Sequence, residues 1–242
     1  MLAFALGIST RYLNSELTRF QRMIAILLAF SSWPLIWGMR LQQPTLPVIA
    51  FLLLGCTALR AGFSVFAGLL FVPTIIKPQL VLPLLAWLFA GAIYKRLWSF
   101  FLSFTAFSAF LLVWTEATVP GWFSHWLIEA REYGTLAGLK LPLQNCLGYW
   151  PGLIATILLA LSSILLLWQW RDVSSDSPEF GTAIAIILAL TVCLILTDAP
   201  MIYNQVFLFQ AVLVLVRSGS SSYYVDLVVR FAVSLLIYLF FR

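Results

Sequence analysis

The chain has 242 residues, is 62% hydrophobic and only 10% charged, and carries a net charge of +5. Soluble domains hold about 25% charged residues and about half apolar ones. So much apolar surface cannot be hidden in one water-soluble core, and the composition predicts a polytopic membrane protein. The basic excess lacks any basic run or basic–aromatic stripe, which excludes nucleic acid as the partner. It is read as a topological signal instead, because cytoplasmic loops collect Lys and Arg.

The N-terminal "MLAFALGIS" has no basic n-region and no small-residue cleavage site, so it is not read as a signal peptide. At nine residues it falls short of the ~20 needed to span a bilayer. It reads as the tail of a membrane helix that begins earlier. Apolar runs then follow at 23–39, 45–59, 62–76, 79–94, 97–115, 149–170, 180–198, 201–216 and 224–241. None alternates as a barrel strand would, so helices are the expected spanning form. Several are short, which predicts tilt-free, broken or partly re-entrant helices within a single integral membrane domain over 1–242.

Lys95 and Arg96 form the strongest local charge pair and set the orientation. With that turn cytoplasmic, Arg11, Arg19, Arg22, Arg60, Arg171 and Arg217 fall on the same side. Arg40, Lys77, Arg131, Lys140 and Arg242 fall on the other, with the loop 116–148. In that loop, "PGWFSHWLIEAREYG" places Phe123, Trp126, Leu127 and Ala130 at helical spacing. Ser124, His125, Glu129 and Glu132 take other faces, so an amphipathic helix in the outer headgroup layer is predicted, with membrane lipid as its partner. A Trp-anchored helix of this kind needs no chemistry of its own.

Two polar islands interrupt the apolar runs. In "IIKPQL", Pro78 disfavours helical geometry at Lys77 and lacks a backbone donor. Pro73 and Pro83 would kink the helices on either side. The expected picture is two helices meeting at a bend, with an ammonium in a wet or headgroup region. Such a lysine can hold a phosphate, or it can snorkel to lipid headgroups. In "TDAPMIYNQVFLFQ", Tyr203, Asn204 and Gln205 offer oriented donors and acceptors suited to sugar hydroxyls. The same groups also suit hydrogen bonds between helices. Asp226 and Arg230, four apart, read as a structural pair.

Enzyme motifs of soluble proteins do not occur. The single histidine, His125, excludes a His-based metal cluster and an ordinary hydrolytic triad. No phosphate-loop or dinucleotide glycine pattern appears, and no cofactor is identified. Cys56, Cys146 and Cys193 show no metal spacing; Cys56 and Cys193 read as small core residues and Cys146 as a free loop thiol.

The stretch "WPLIWGMRLQQPTLPVIAFLLLGCTALRAGFSVFAGLLFVPTIIKPQLVLPLLAWLFAGAIYKRLW" resembles bacterial membrane proteins of glycosyltransferase family 87. The shared pattern is a Gly and Gln before one apolar helix, a second helix ending in Lys-Pro-Gln, and a basic turn after the next. "PGWFSHWLIEAREY" and "YNQVFLF" are similar too, and the resemblance spans about residues 30–215. It implies an all-α, GT-C-like helical bundle and a mannosyltransferase or other hexosyltransferase of the cell envelope. The donor would be a polyprenyl-phosphate sugar, used on the extracytoplasmic side of the inner membrane. It also implies that Lys77 and Gln79 line the donor-phosphate region, with Tyr203, Asn204 and Gln205 near the same cavity.

One departure stands out. GT-C enzymes carry their catalytic carboxylate in the first external loop, near the N-terminus of a longer chain. Residues 1–22 hold only Glu16, on the side read as cytoplasmic. The chain thus resembles the C-terminal portion of the fold, lacking the usual N-terminal helices: a fragment, a misassigned start, one half of a split gene, or an inactive relative. The external carboxylates are Glu116, Glu129, Glu132 and Asp198, none in a matching motif; Asp198 and Glu116 stand as candidate bases. Two other readings remain: a non-catalytic protein that binds or moves a lipid-linked anion, and a structural subunit completed by a partner chain.

Overall fold

The computed structural model describes residues 4–8, isolated positions between 18 and 36, and residues 39–94, 97–136, 147–169 and 179–195, together with Gln144, Val173 and Ser177. Every regular element among them is helical, in agreement with the all-α expectation. The order is α1 (Thr45–Arg60), α2 (Ser64–Phe71), a 3-10 turn (Val72–Ile76), α3 (Pro78–Tyr94), α4 (Trp98–Thr118), α5 (Trp122–Leu136), α6 (Tyr149–Gln169) and α7 (Glu179–Ile195). The apolar runs at 45–59, 62–76, 79–94, 97–115, 149–170 and 180–198 thus correspond to helices. The runs at 201–216 and 224–241 lie outside the described residues.

Helix α1 is the centre of the packing. Ile49, Ala50, Leu52, Gly55, Thr57 and Ala58 are all buried on it, which takes in most of its circumference. A helix apolar all round has to be enclosed by others or by lipid. It ends at Gly62, whose φ of +81° is the left-handed cap that glycine adopts without strain. Amides at Ala61, Gly62 and Phe63 close onto the carbonyls of Thr57, Leu59 and Ala58 at 2.9–3.1 Å. The chain reverses there into α2.

Two glycines set how closely the helices approach. A Cβ on Gly55 would lie 2.7 Å from the Phe71 ring, so α1 admits that ring only because the side chain is missing. A Cβ on Gly68 would run into the Ser103 hydroxyl and sit 2.6 Å from the Phe100 carbonyl. Helix α2 therefore rests on the backbone of α4. The Phe71 ring meets Phe100 edge-on at 5.8 Å, and Phe89 of α3 lies 5.0 Å from Phe104 and 5.7 Å from Phe100. Aromatic pairs at such spacings add about 0.5–1.5 kcal/mol beyond the area they bury. On the far side of α3, Trp87 stacks with Phe180 of α7 at 5.9 Å.

Hydroxyls buried in this apolar setting find acceptors inside their own helices. Thr57, Thr156 and Thr191 donate to the carbonyls of Leu53, Gly152 and Ile187 at 2.7–2.8 Å. This satisfies the hydroxyl without a partner helix.

Outward from Phe104, α4 is bare. Val113 is 70% exposed and Trp114 60%; on α6, Leu165 and Trp168 are exposed to a similar degree. Helix α4 is long and apolar enough to cross a membrane, and α1, α2 with its 3-10 turn, α3, α6 and α7 contain shorter apolar helices. At 1.5 Å per residue its 21 residues reach about 32 Å, against a hydrocarbon core of about 30 Å.

The loop begins later than the sequence suggests. Residues 116–118 belong to α4, because Thr115 and Thr118 bond back to the carbonyls of Leu111 and Trp114 and nothing breaks the helix before Val119-Pro120. A helix, α5 at Trp122–Leu136, lies within the 116–148 stretch.

The backbone-to-backbone approach at Gly68 yields a direct test. Gly68→Ala is expected to destabilise the protein by about 1–3 kcal/mol, the range for overpacking. Gly55→Ala should cost less, because only ring atoms of Phe71 have to move. Thermal unfolding in detergent reads both; equal effects would mean that the helix contact at Gly68 is not tight.

Candidate functional site

The polar bend is built by local rules. After Phe71 the helix tightens into a 3-10 turn containing Pro73, and the buried Thr74 hydroxyl donates to the Phe71 carbonyl at 2.5 Å. Lys77 then leaves helical geometry, with φ −127° and ψ 73°, as the residue before a proline does. Pro78 opens α3, a position at which its missing N–H costs nothing. The bend expected at "IIKPQL" is therefore present. Pro83, by contrast, lies inside α3 without ending it.

Lys77 reaches across to the start of α1. Its ammonium Nζ donates to the Thr45 hydroxyl at 2.7 Å, across 32 residues of sequence. Thr45 is fully buried and is the first residue of α1; Lys77 is half-buried. The chain thus returns to the start of α1 and sets two helix N-termini and an ammonium at one place. Each N-terminus carries partial positive charge from its unpaired amides and the helix dipole. Neither α1 nor α3 has an acidic residue in its first turn to offset that charge. An arrangement of this sign is suited to an anion.

Gln79 sits in the first turn of α3, two residues from Lys77. Tyr203, Asn204, Gln205 and Asp198 lie outside the described residues. Glu116 is elsewhere, at the elbow between α4 and α5. Its two carboxylate oxygens accept from the Gly121 amide at 2.7 Å and the Phe123 amide at 3.2 Å. These bonds cap the start of α5, where a negative charge is favourable. The side chain read as a candidate base is engaged in holding the elbow.

Thr45 was not singled out from the sequence. The available signal was "LQQPT", a polar turn in an apolar stretch, but nothing in the sequence paired it with "IIKPQL" 32 residues away. The capping role of Glu116 was visible in outline: an acid four residues before Pro120-Gly121 is well placed to fold over the next helix start.

These geometries separate capping from catalysis at Glu116. Glu116→Gln keeps an oxygen for one of the two amides and should leave turnover within a few-fold of the parent. Glu116→Ala should speed amide exchange at 121–126, at a cap cost of about 1 kcal/mol. A loss of a hundredfold or more in turnover for Glu116→Gln, with exchange unchanged, would return this residue to the chemistry.

Comparison with known proteins gives one match. The family model of glycosyltransferase family 87 matches residues 1–197. No curated protein and no solved structure matches the chain. The extent differs from the 30–215 of the resemblance: the match takes in the first residues, and it stops before Asp198 and "YNQ" at 203–205. Thr45, Lys77, Gln79 and Glu116 are all inside it. With most of its length matched, the chain belongs to glycosyltransferase family 87.

Proposed function

We propose that the chain acts as a polytopic membrane glycosyltransferase. It would move a hexosyl group, mannosyl by the resemblance, from a polyprenyl-phosphate donor to an acceptor hydroxyl on the extracytoplasmic side of a bacterial inner membrane. The observation that carries this reading is the Lys77–Thr45 bond, which fixes an ammonium between two helix N-termini at one end of a bundle of apolar helices. A phosphate that gains charge as the sugar departs fits that place. The lipid setting is supported by the bare apolar faces of α4 and α6 and by the low charge of the chain.

In the reaction, the acceptor oxygen attacks the anomeric carbon and the bond from that carbon to the phosphate oxygen breaks. The phosphate keeps the electron pair, and the hydroxyl proton passes to a carboxylate. Lys77 stabilises the departing phosphate, and Thr45 holds the ammonium in position. With Glu116 committed to the elbow, Asp198 is the first candidate for the base. Tyr203, Asn204 and Gln205 remain candidates for contacts to the sugar.

Helix α5 fits the headgroup layer in this reading. Phe123 stacks with Trp126 at 6.1 Å, and both are exposed with Leu127 and Ile128, an apolar surface that lipid would cover. A second reading is donor binding without transfer, alone or as a subunit of a split enzyme. The Glu116 cap favours it, since it removes one of the available carboxylates.

The test is transfer of labelled mannose from polyprenyl-phosphate mannose in membranes that contain the chain. Lys77→Ala is expected to lower kcat about a hundredfold, as for loss of a group that stabilises transition-state charge. Thr45→Val should lower it several-fold, since the ammonium stays but loses its anchor. Unchanged turnover in Lys77→Ala would remove Lys77 from the mechanism. Donor binding with no transfer would select the second reading.

A further inference from the structure

The turn that leads into Thr45 contains a backbone conformation that the other described residues reserve for glycine. Among the described residues, Gly62, Gly121 and Gly148 have φ between 79° and 87°. One residue with a side chain joins them: Gln42, with φ 51°. In this left-handed region the Cβ crowds the backbone, and glycine or asparagine is the ordinary occupant. Gln42 closes a turn by donating its amide to the Met39 carbonyl at 3.1 Å, and its side chain is exposed. The turn thus makes no use of the side chain that strains it. Strain kept at such a position points to a use for the side chain.

The location suggests the use. Gln42 is three residues before Thr45, whose hydroxyl receives the Lys77 ammonium. Three residues of chain reach about 10 Å at most, so the Gln42 backbone lies no farther from that of Thr45 than about the length of a hexosyl phosphate. A primary amide offers two donors and an acceptor in one plane, which matches neighbouring hydroxyls on a sugar ring. It would contribute nothing to a bare phosphate that Lys77 does not supply better.

We propose that Gln42 is a specificity-determining residue which hydrogen-bonds the hexose hydroxyls of the donor whose phosphate lies at Lys77. This rests on the reading of the Lys77 bend as a donor-phosphate site. Lys77 recognises the charge common to loaded and spent carrier, whereas Gln42 recognises the sugar that only the loaded carrier bears.

The experiment compares two probes, polyprenyl-phosphate mannose and polyprenyl phosphate, bound to the full chain in detergent and followed by tryptophan fluorescence. The parent should bind the mannosyl form more tightly. Gln42→Gly should abolish that preference, weakening the mannosyl form about tenfold and leaving polyprenyl phosphate unchanged. Its thermal midpoint should be equal to or above the parent's, because glycine relieves the backbone. Gln42→Asn, which tolerates the same backbone and keeps a shorter amide, should restore part of the preference. If Gln42→Gly retains the full preference, the proposal fails while the phosphate reading stands. If Lys77→Ala leaves the binding of both probes unchanged, the phosphate reading fails and this proposal with it. A lower thermal midpoint for Gln42→Gly would show that the side chain supports the turn, and would equally overturn the proposal.

Discussion

The hydrogen bond from Lys77 to Thr45 is the constraint on which the arrangement turns. An ammonium partly withdrawn from water among apolar helices has to recover lost hydration through a partner. A hydrogen bond to a charged group returns about 1.5–3 kcal/mol, so one well-placed hydroxyl offsets part of that loss. The bond can form only if the chain comes back to the start of α1 after one hairpin. Gly62 closes that hairpin at one end and Lys77 at the other. Between them Gly55 makes room for Phe71, and Gly68 lets α2 lie on the backbone of α4. Close apolar packing thus brings the two sides of the polar bend together.

That packing also accounts for the division of the molecule. Helices α1 to α3 and α7 share one core of aliphatic and aromatic side chains, with the first turns of α4 closing its side. The rest of α4, with much of α6, presents apolar side chains outward. A helix that is apolar on both its buried and its outward-facing parts has no amphipathic face. The sequence of α4 duly shows no polar stripe, and its serine and threonine hydroxyls at 103, 105, 115 and 118 bond to carbonyls of their own helix. Glu116 then uses both carboxylate oxygens to set the direction of α5.

Much of the helical order was legible in the chain. Runs of 15 to 22 apolar residues bounded by charge or proline left no other element, and the pre-proline rule placed the break at Lys77. The loop boundary was misjudged by three residues, because threonine back-bonding carries α4 past Glu116. What pattern could not give was partnership. Thr45 lies 32 residues from Lys77, and neither residue indicates the other; only the close crossing of α1 and α2 joins them. Likewise Glu116 looked like an external carboxylate open to chemistry, and its amide partners emerged only from the fold of the elbow. The left-handed backbone at Gln42 was invisible for the opposite reason, since glutamine is not a residue that announces such a turn.

The central claim is that a phosphate binds at the Lys77 bend. Phosphorus NMR of a short-chain polyprenyl phosphate in micelles, titrated with the protein, addresses it without depending on turnover. The expected result is a broadened and shifted resonance with the parent chain and an unperturbed one with Lys77→Met. Equal broadening and shift with both proteins would place the phosphate elsewhere and contradict the account.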